Sequence, residues 1–241
     1  MQTMQEQSIL TTESNLPTML DEARWEKTLR KIVMVVARVA LGYLFFTQLW
    51  WKLPPSFGCP DNFALKMEDG KGGYTKSSGL CTYLGYESIF ANKGPRKFLV
   101  SETRYWAGSP IKEISIDLTW LTRLNGQIID SFIGPNVRWF GYVVWFSEFF
   151  IFVSLFFGLF TRLGGLVALG VSAQLTLGLA GVPLPGDYEW EWAYLQIMVL
   201  AVLMIGLTPG RVFGLDVLIR RALKPAANRG NVLAKLLLLG T

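Results

Sequence analysis

The chain contains no histidine. That removes the commonest transition-metal ligand, the usual axial ligand of haem and the one side chain that changes charge near neutral pH. Cysteine is nearly absent: Cys59 and Cys81 are the only two, and no CxxC joins them. Neither an iron–sulfur cluster nor a thioredoxin-type dithiol can be built from this chain alone. The motifs of soluble catalysis are also missing. There is no P-loop, GxSxG, HExxH or dinucleotide fingerprint, so metal, haem and nucleotide are not expected as cofactors. No basic stripe with interleaved stacking aromatics runs through the sequence, and nucleic acid is not an expected partner. Charge itself is scarce, at 17% of 241 residues, against about 25% in an average soluble domain.

What fills the space is apolar. The chain is 51% hydrophobic and 14% aromatic, with a positive mean hydropathy. This composition predicts an integral membrane protein, with the lipid bilayer as its first partner. Four runs approach the roughly 20 residues needed to cross a bilayer. They are residues 32–53, 139–160, 165–182 and 192–213. Before them lies a polar tail, 1–31, and after them a tail, 214–241, that reads as amphipathic. Between the first two spans stands a long segment, 54–138.

Lysine and arginine near the span ends set the orientation. Arg24, Lys27, Arg30 and Lys31 precede the first span, Arg162 lies between the second and third, and Arg211, Arg220, Arg221 and Lys224 follow the fourth. The turn between spans three and four has Asp187, Glu189 and Glu191 and no Lys or Arg. Both termini are therefore expected in the cytoplasm, in a multi-pass protein of the cytoplasmic (inner) membrane. Trp50, Trp51, Trp139, Trp190 and Trp192 all fall at the outer boundary, as an interfacial belt should. Arg38 falls about 9 Å inside the cytoplasmic end at 1.5 Å per residue, within reach of the interface.

The expected fold class is all-α: a membrane four-helix bundle with a long extracytoplasmic loop between helices 1 and 2. That loop carries an amphipathic surface helix, in which Leu118, Trp120, Leu121, Leu124, Ile128, Ile129 and Phe132 recur at helical spacing. Cys59 and Cys81 share this outer loop, where an oxidising compartment favours a structural disulfide over a redox-active pair.

Ionisable groups inside a bilayer cost several kcal/mol unless paired or hydrated. Glu148 falls near the middle of the second span, and its nearest cation by depth is Arg38. Gln174 lies near the middle of the third span. Arg211 and Asp216, close in sequence after the fourth, read as a structural ion pair. Two readings stay open at this level. These side chains glue helices together, or they line a polar slot for a ligand's carbonyl or hydroxyl groups.

Several motifs recur in a recognisable order. Arg38, Gly42, Phe45 or Phe46 and Lys52-Leu53 mark the first span. Glu148 precedes "GLFTRLGGLVAL" (158–169), and "EWAYLQ" from Glu191 leads to "GLTPGRVFGLD", ending at Asp216. This arrangement resembles the DoxX/DoxD family of small four-span membrane proteins. The family's Ser before Leu-Asp is Gly214 here, and the segment after Pro54 is longer than the family pattern requires. DoxD is the membrane subunit of a thiosulfate:quinone oxidoreductase. The resemblance implies a quinone ligand and a polar set of Arg38, Lys52 and Glu148. Under it, a quinone between the helices would meet Arg38, Lys52, Gln174 and Glu191, with Trp51 and Trp192 beside its ring and Glu148 delivering protons. Electrons would come from a substrate adduct or a partner subunit. The alternative is a non-catalytic scaffold or accessory subunit of a larger membrane electron-transfer or photosynthetic complex. Both readings imply other membrane protein subunits as partners.

Overall fold

A computed structural model describes residues 24–58, 80, 97–101, 105–106, 109–110, 114–133, 135–179 and 189–241. Most of these residues are helical. Helix α1 (Arg24–Gln48) runs into a 3-10 turn at Trp50–Lys52. It begins within the stretch expected to be a tail. Helix α2 (Thr119–Ile128) continues as a π-helical turn over Ile129–Ile133. Helices α3 (Val137–Phe157), α4 (Thr161–Leu179) and α5 (Glu189–Leu207) follow. A 3-10 turn at Pro209–Arg211 leads into α6 (Asp216–Asn228) and α7 (Val232–Leu239).

The helical content agrees with the expected all-α class, to which two short strand pairs are added. Strand β1 (Lys97–Ser101) pairs antiparallel with β4 (Ile114–Asp117), and β2 (Tyr105–Trp106) with β3 (Ser109–Pro110). A bulge lies between Leu99 and Ser101, and beyond it Ser101↔Ile114 falls in the same register as Tyr105↔Pro110. The two pairs are separate two-stranded sheets, both in the segment before α2.

Helix ends have local causes. Gly158 adopts the left-handed conformation that closes α3, and its N–H donates to the Ser154 carbonyl. The run expected as a span to Phe213 stops being α-helical at Leu207. Thr208 has φ +47, and Pro209 brings no N–H to continue the ladder.

Leu41 and Phe45 of α1, Ile151 and Leu155 of α3, Ala168 of α4 and Ala201 and Met204 of α5 form one buried core. Small residues let the backbones approach. A Cβ on Gly42 would lie 2.7 Å from the backbone nitrogen of Phe156, and one on Gly165 would lie 3.0 Å from the Ala201 carbonyl. Close approach through Gly and Ala is the packing mode of helices that gain little from hydrophobic burial. A second core of Phe57, Leu80, Ile129 and Ile133 caps the Lys52 end and ties α2 to α3.

Among the described residues, Arg138–Phe157 is the helix long and apolar enough to cross a membrane, and Ala193–Leu207 is apolar but shorter. The outward faces are apolar as well. Val36 and Leu44 on α1, Phe146 and Phe149 on α3, Leu166 on α4 and Val202 on α5 are exposed. Helix α2 turns Thr122, Asn125 and Gly126 inward and leaves Trp120, Leu124, Ile128 and Phe132 outward, with Trp120 at 68% exposure.

Candidate functional site

Glu148 lies midway along α3 and is 2% exposed. Its Oε1 accepts from Lys52 Nζ at 2.5 Å. Lys52 ends the 3-10 turn after α1, and its side chain is 14% exposed. The pair therefore reaches from the outer rim of the bundle to its interior. The sequence suggested Arg38 as the partner by depth; the structure gives Lys52. The reason is directional. The Arg38 guanidinium turns toward the opposite end, while the four-carbon stem of Lys52 runs inward from the rim.

The second oxygen of Glu148, Oε2, is buried without a hydrogen-bond partner, and so is the Ser172 hydroxyl of α4. Tyr194 of α5 lies within the field of the Glu148 carboxylate. Two unsatisfied buried oxygens in one small bundle are costly in isolation. Among the described residues the Arg38 Nε is also buried without a partner, so Glu148 Oε2 is one of three such atoms and the one on a carboxylate. Around the pair, Trp145 donates its indole N–H to the Leu49 carbonyl at 3.3 Å and stacks on Phe149 at 5.5 Å. Phe46 meets Phe152 at 4.9 Å and Trp50 edge-on at 5.5 Å.

Arg38 belongs to a separate cluster at the other end. It is 3% exposed and donates from Nη1 to the Pro209 carbonyl at 3.4 Å and from Nη2 to the Phe213 carbonyl at 3.2 Å. Its guanidinium lies against Gly158 and Gly214. A Cβ on Gly214 would stand 2.5 Å from Nη1, so the absence of a side chain there makes room for this arginine.

Asp216 completes that cluster. Its carboxylate accepts from the Phe160 N–H at 2.6 Å, the Thr161 N–H at 3.1 Å and the Thr161 hydroxyl at 2.6 Å. It thereby caps the N-terminus of α4 from outside that helix, where an acid also meets the positive end of the helix dipole. The Asp216 N–H donates back to the Gly158 carbonyl at 2.8 Å. The expected Arg211–Asp216 ion pair is corrected here. Arg211 donates from Nη2 to the Thr241 carbonyl at 3.0 Å, while both oxygens of Asp216 are engaged by Phe160 and Thr161. Arg38 and Arg211 feel the Asp216 charge at longer range.

Gln174 donates from Nε2 to Asn125 Oδ1 at 2.6 Å, fastening α4 to α2. The proposed polar set is thus dispersed over three places: Arg38 with backbone carbonyls, Glu148 with Lys52, and Gln174 with Asn125. The side chains of Glu191, Trp51 and Trp192, and both cysteines, Cys59 and Cys81, lie outside the described residues. Sequence reasoning missed Asp216 as the cap of α4, Tyr194 within the field of Glu148, and Asn125 as the partner of Gln174. The signal for the first was present in the paired motifs "GLFTR" and "GLD". For Asn125 it was a polar residue among apolar ones at helical spacing.

Comparison with known proteins gives one family. The model of the DoxD family, described as the small subunit DoxD of TQO, matches residues 122–239. The match takes in Glu148, Ser172, Gln174, Tyr194 and Asp216 and leaves Arg38 and Lys52 outside. No curated protein and no solved structure matches the chain.

Proposed function

Residues 122–239 being of the DoxD family, we propose that this chain is the membrane subunit of a quinone-linked oxidoreductase, in the manner of thiosulfate:quinone oxidoreductase. Its four spans are α1 from Ile32 onward, α3, α4 and α5. The support is the apolar outward faces together with the close backbone packing, since a bilayer solvates the former and requires the latter. The Lys/Arg distribution supports a cytoplasmic-membrane protein with both termini in the cytoplasm, so that Lys52 and α2 lie at the outer side and Arg38 at the inner. The outer loop then holds Cys59 and Cys81 where a disulfide is stable.

The observation that carries the quinone reading is the unpartnered Oε2 of the buried Glu148. A carboxyl whose other oxygen is held by an ammonium fits a ligand hydroxyl or carbonyl as its missing partner. A bound quinone supplies a two-electron, two-proton acceptor; the electrons come from a partner subunit or a substrate adduct on it. This chain supplies position and protons. The Glu148 carboxyl, when protonated, is the proton donor of the site. Passing that proton to a ligand oxygen would leave a carboxylate beside the Lys52 ammonium, and the carboxyl would be resupplied from the outer water along the partly exposed Lys52 side chain. The second proton comes from the same water by a second pass. Aromatic rings of Trp145 and Phe152, with Phe149 stacked on Trp145 from the outward face, form the apolar surroundings.

A second reading has its own support. Asp216, Gln174 and the two terminal nitrogens of Arg38 are spent on helix ends and helix–helix ties, as a scaffold subunit of a larger electron-transfer complex would use them. Lipid and quinone extraction from gently purified protein separates the two. The quinone reading predicts quinone at a fixed ratio to protein, lost in a Glu148→Leu variant that still assembles. Quinone-free protein carrying stoichiometric partner subunits would favour the scaffold.

A further inference from the structure

We propose that the α6–α7 hairpin is an in-plane foot that binds anionic phospholipid headgroups of the leaflet in which the Arg38 end of the bundle sits. The proposal rests on the membrane-bundle reading above and adds a ligand class to it.

Three observations converge. The first is position. At one end of the hairpin the Leu215 N–H donates to the Phe157 carbonyl and the Asp216 N–H to the Gly158 carbonyl. At the other end the Gly240 carbonyl accepts from the Arg162 and Leu163 N–H groups, in the first turn of α4. Both ends of the hairpin are thus stitched to the turn between α3 and α4. It is held at the plane where the spans end and cannot extend into water.

The second is its apolar surface. Val232, Leu233, Leu236 and Leu239 of α7 are exposed, as is Leu218 of α6, and Phe213 in the turn before α6 is 85% exposed. An eight-residue helix with this sequence is too short to span and too apolar for water. An amphipathic segment at a bilayer boundary buries such a face among the acyl chains.

The third is charge. From Thr208 to Thr241 the chain has six basic residues, Arg211, Arg220, Arg221, Lys224, Arg229 and Lys235, and one acid, Asp216. That acid is fully buried and its oxygens are engaged by α4. Arg211 and Arg220 hold Thr241, while Arg221, Lys224, Arg229 and Lys235 are exposed. No acid on the hairpin offsets them. An acidic lipid surface is the partner that satisfies an apolar face and a rim of uncompensated cations together, each basic residue near such a surface adding attraction.

The test uses the full chain in vesicles of equal parts phosphatidylcholine and phosphatidylglycerol. The photo-crosslinking amino acid p-benzoyl-phenylalanine replaces Leu236 or, as a control, Phe146 on the outward face of α3, and adducts are read by mass. At Leu236 the adducts should be lipid, with phosphatidylglycerol several-fold over phosphatidylcholine. The ratio should fall to that of the vesicle in Arg221→Gln/Lys224→Gln/Lys235→Gln, which keeps the apolar face. A bulk ratio in the unsubstituted hairpin, protein adducts at Leu236, or no lipid adduct there while Phe146 crosslinks lipid would each overturn the foot. Failure of Phe146 to crosslink lipid would instead overturn the bundle reading beneath it.

Discussion

Lys52 Nζ and Glu148 Oε1 meet at 2.5 Å across the α1–α3 interface, while the other carboxylate oxygen of Glu148 stays unpaired. A buried pair of this kind reacts unevenly to loss of its members. Lys52→Met leaves a buried carboxyl without its cation and should cost about 3–5 kcal/mol. Glu148→Gln retains an acceptor for the ammonium and should cost less. The double variant Lys52→Met/Glu148→Gln should recover most of the loss in thermal unfolding of detergent-solubilised protein. Strictly additive losses would show that the two side chains are not coupled.

The Asp216 cap links two segments 55 residues apart in sequence. Asp216→Ala removes three hydrogen bonds, two of them from the backbone N–H groups of Phe160 and Thr161 where α4 begins, and should destabilise by roughly 2–4 kcal/mol. Amide exchange at Phe160 and Thr161 should accelerate in the variant, with exchange in the middle of α3 little changed. Unaltered protection at those two amides would refute the cap. Thr161→Ser keeps the hydroxyl and should behave as the parent protein.

Gly42 packs against the backbone of α3, whereas no atom stands within 4 Å of a Cβ at Gly170. Gly42→Val should therefore force α1 and α3 apart at a cost of about 1–3 kcal/mol. Gly170→Ala should be neutral or slightly stabilising, since it improves helix propensity in open space. Equal melting temperatures for the two variants would contradict this packing.

The Cys59–Cys81 disulfide proposed for the outer loop gives a direct count. Thiol titration of denatured, unreduced protein should find no free thiol, and reduction should release two. Two reactive thiols before reduction would remove the disulfide from the account.

Much of the helical core was legible because long apolar runs leave few alternatives. The motifs also named the residues that matter at the Arg38 end. What they did for one another was not legible. Arg38 looked like the partner of Glu148 because depth along a helix ignores which way a long side chain turns; Gly158 and Gly214 draw it toward the Pro209 and Phe213 carbonyls instead. Arg211 and Asp216 looked like a pair because they are near in sequence, but the open N-terminus of α4 is a stronger claim on that carboxylate. The two strand pairs went unseen because the strands are short and one pair carries a bulge, so no sustained alternation marks them.

The central claim is that Glu148 passes protons to a bound quinone, and electron transfer by a Glu148→Gln preparation tests it most directly. Quinone content and turnover should be measured on the same sample, in complex with its partner subunits. The amide keeps the Lys52 contact and the shape of the site but holds no transferable proton at neutral pH. Assembly and quinone content should stay near the parent level while turnover falls by about 10²–10⁴-fold, the usual contribution of a positioned acid or base. Parent-level turnover with quinone retained would contradict the account and leave the Lys52–Glu148 pair a structural tie.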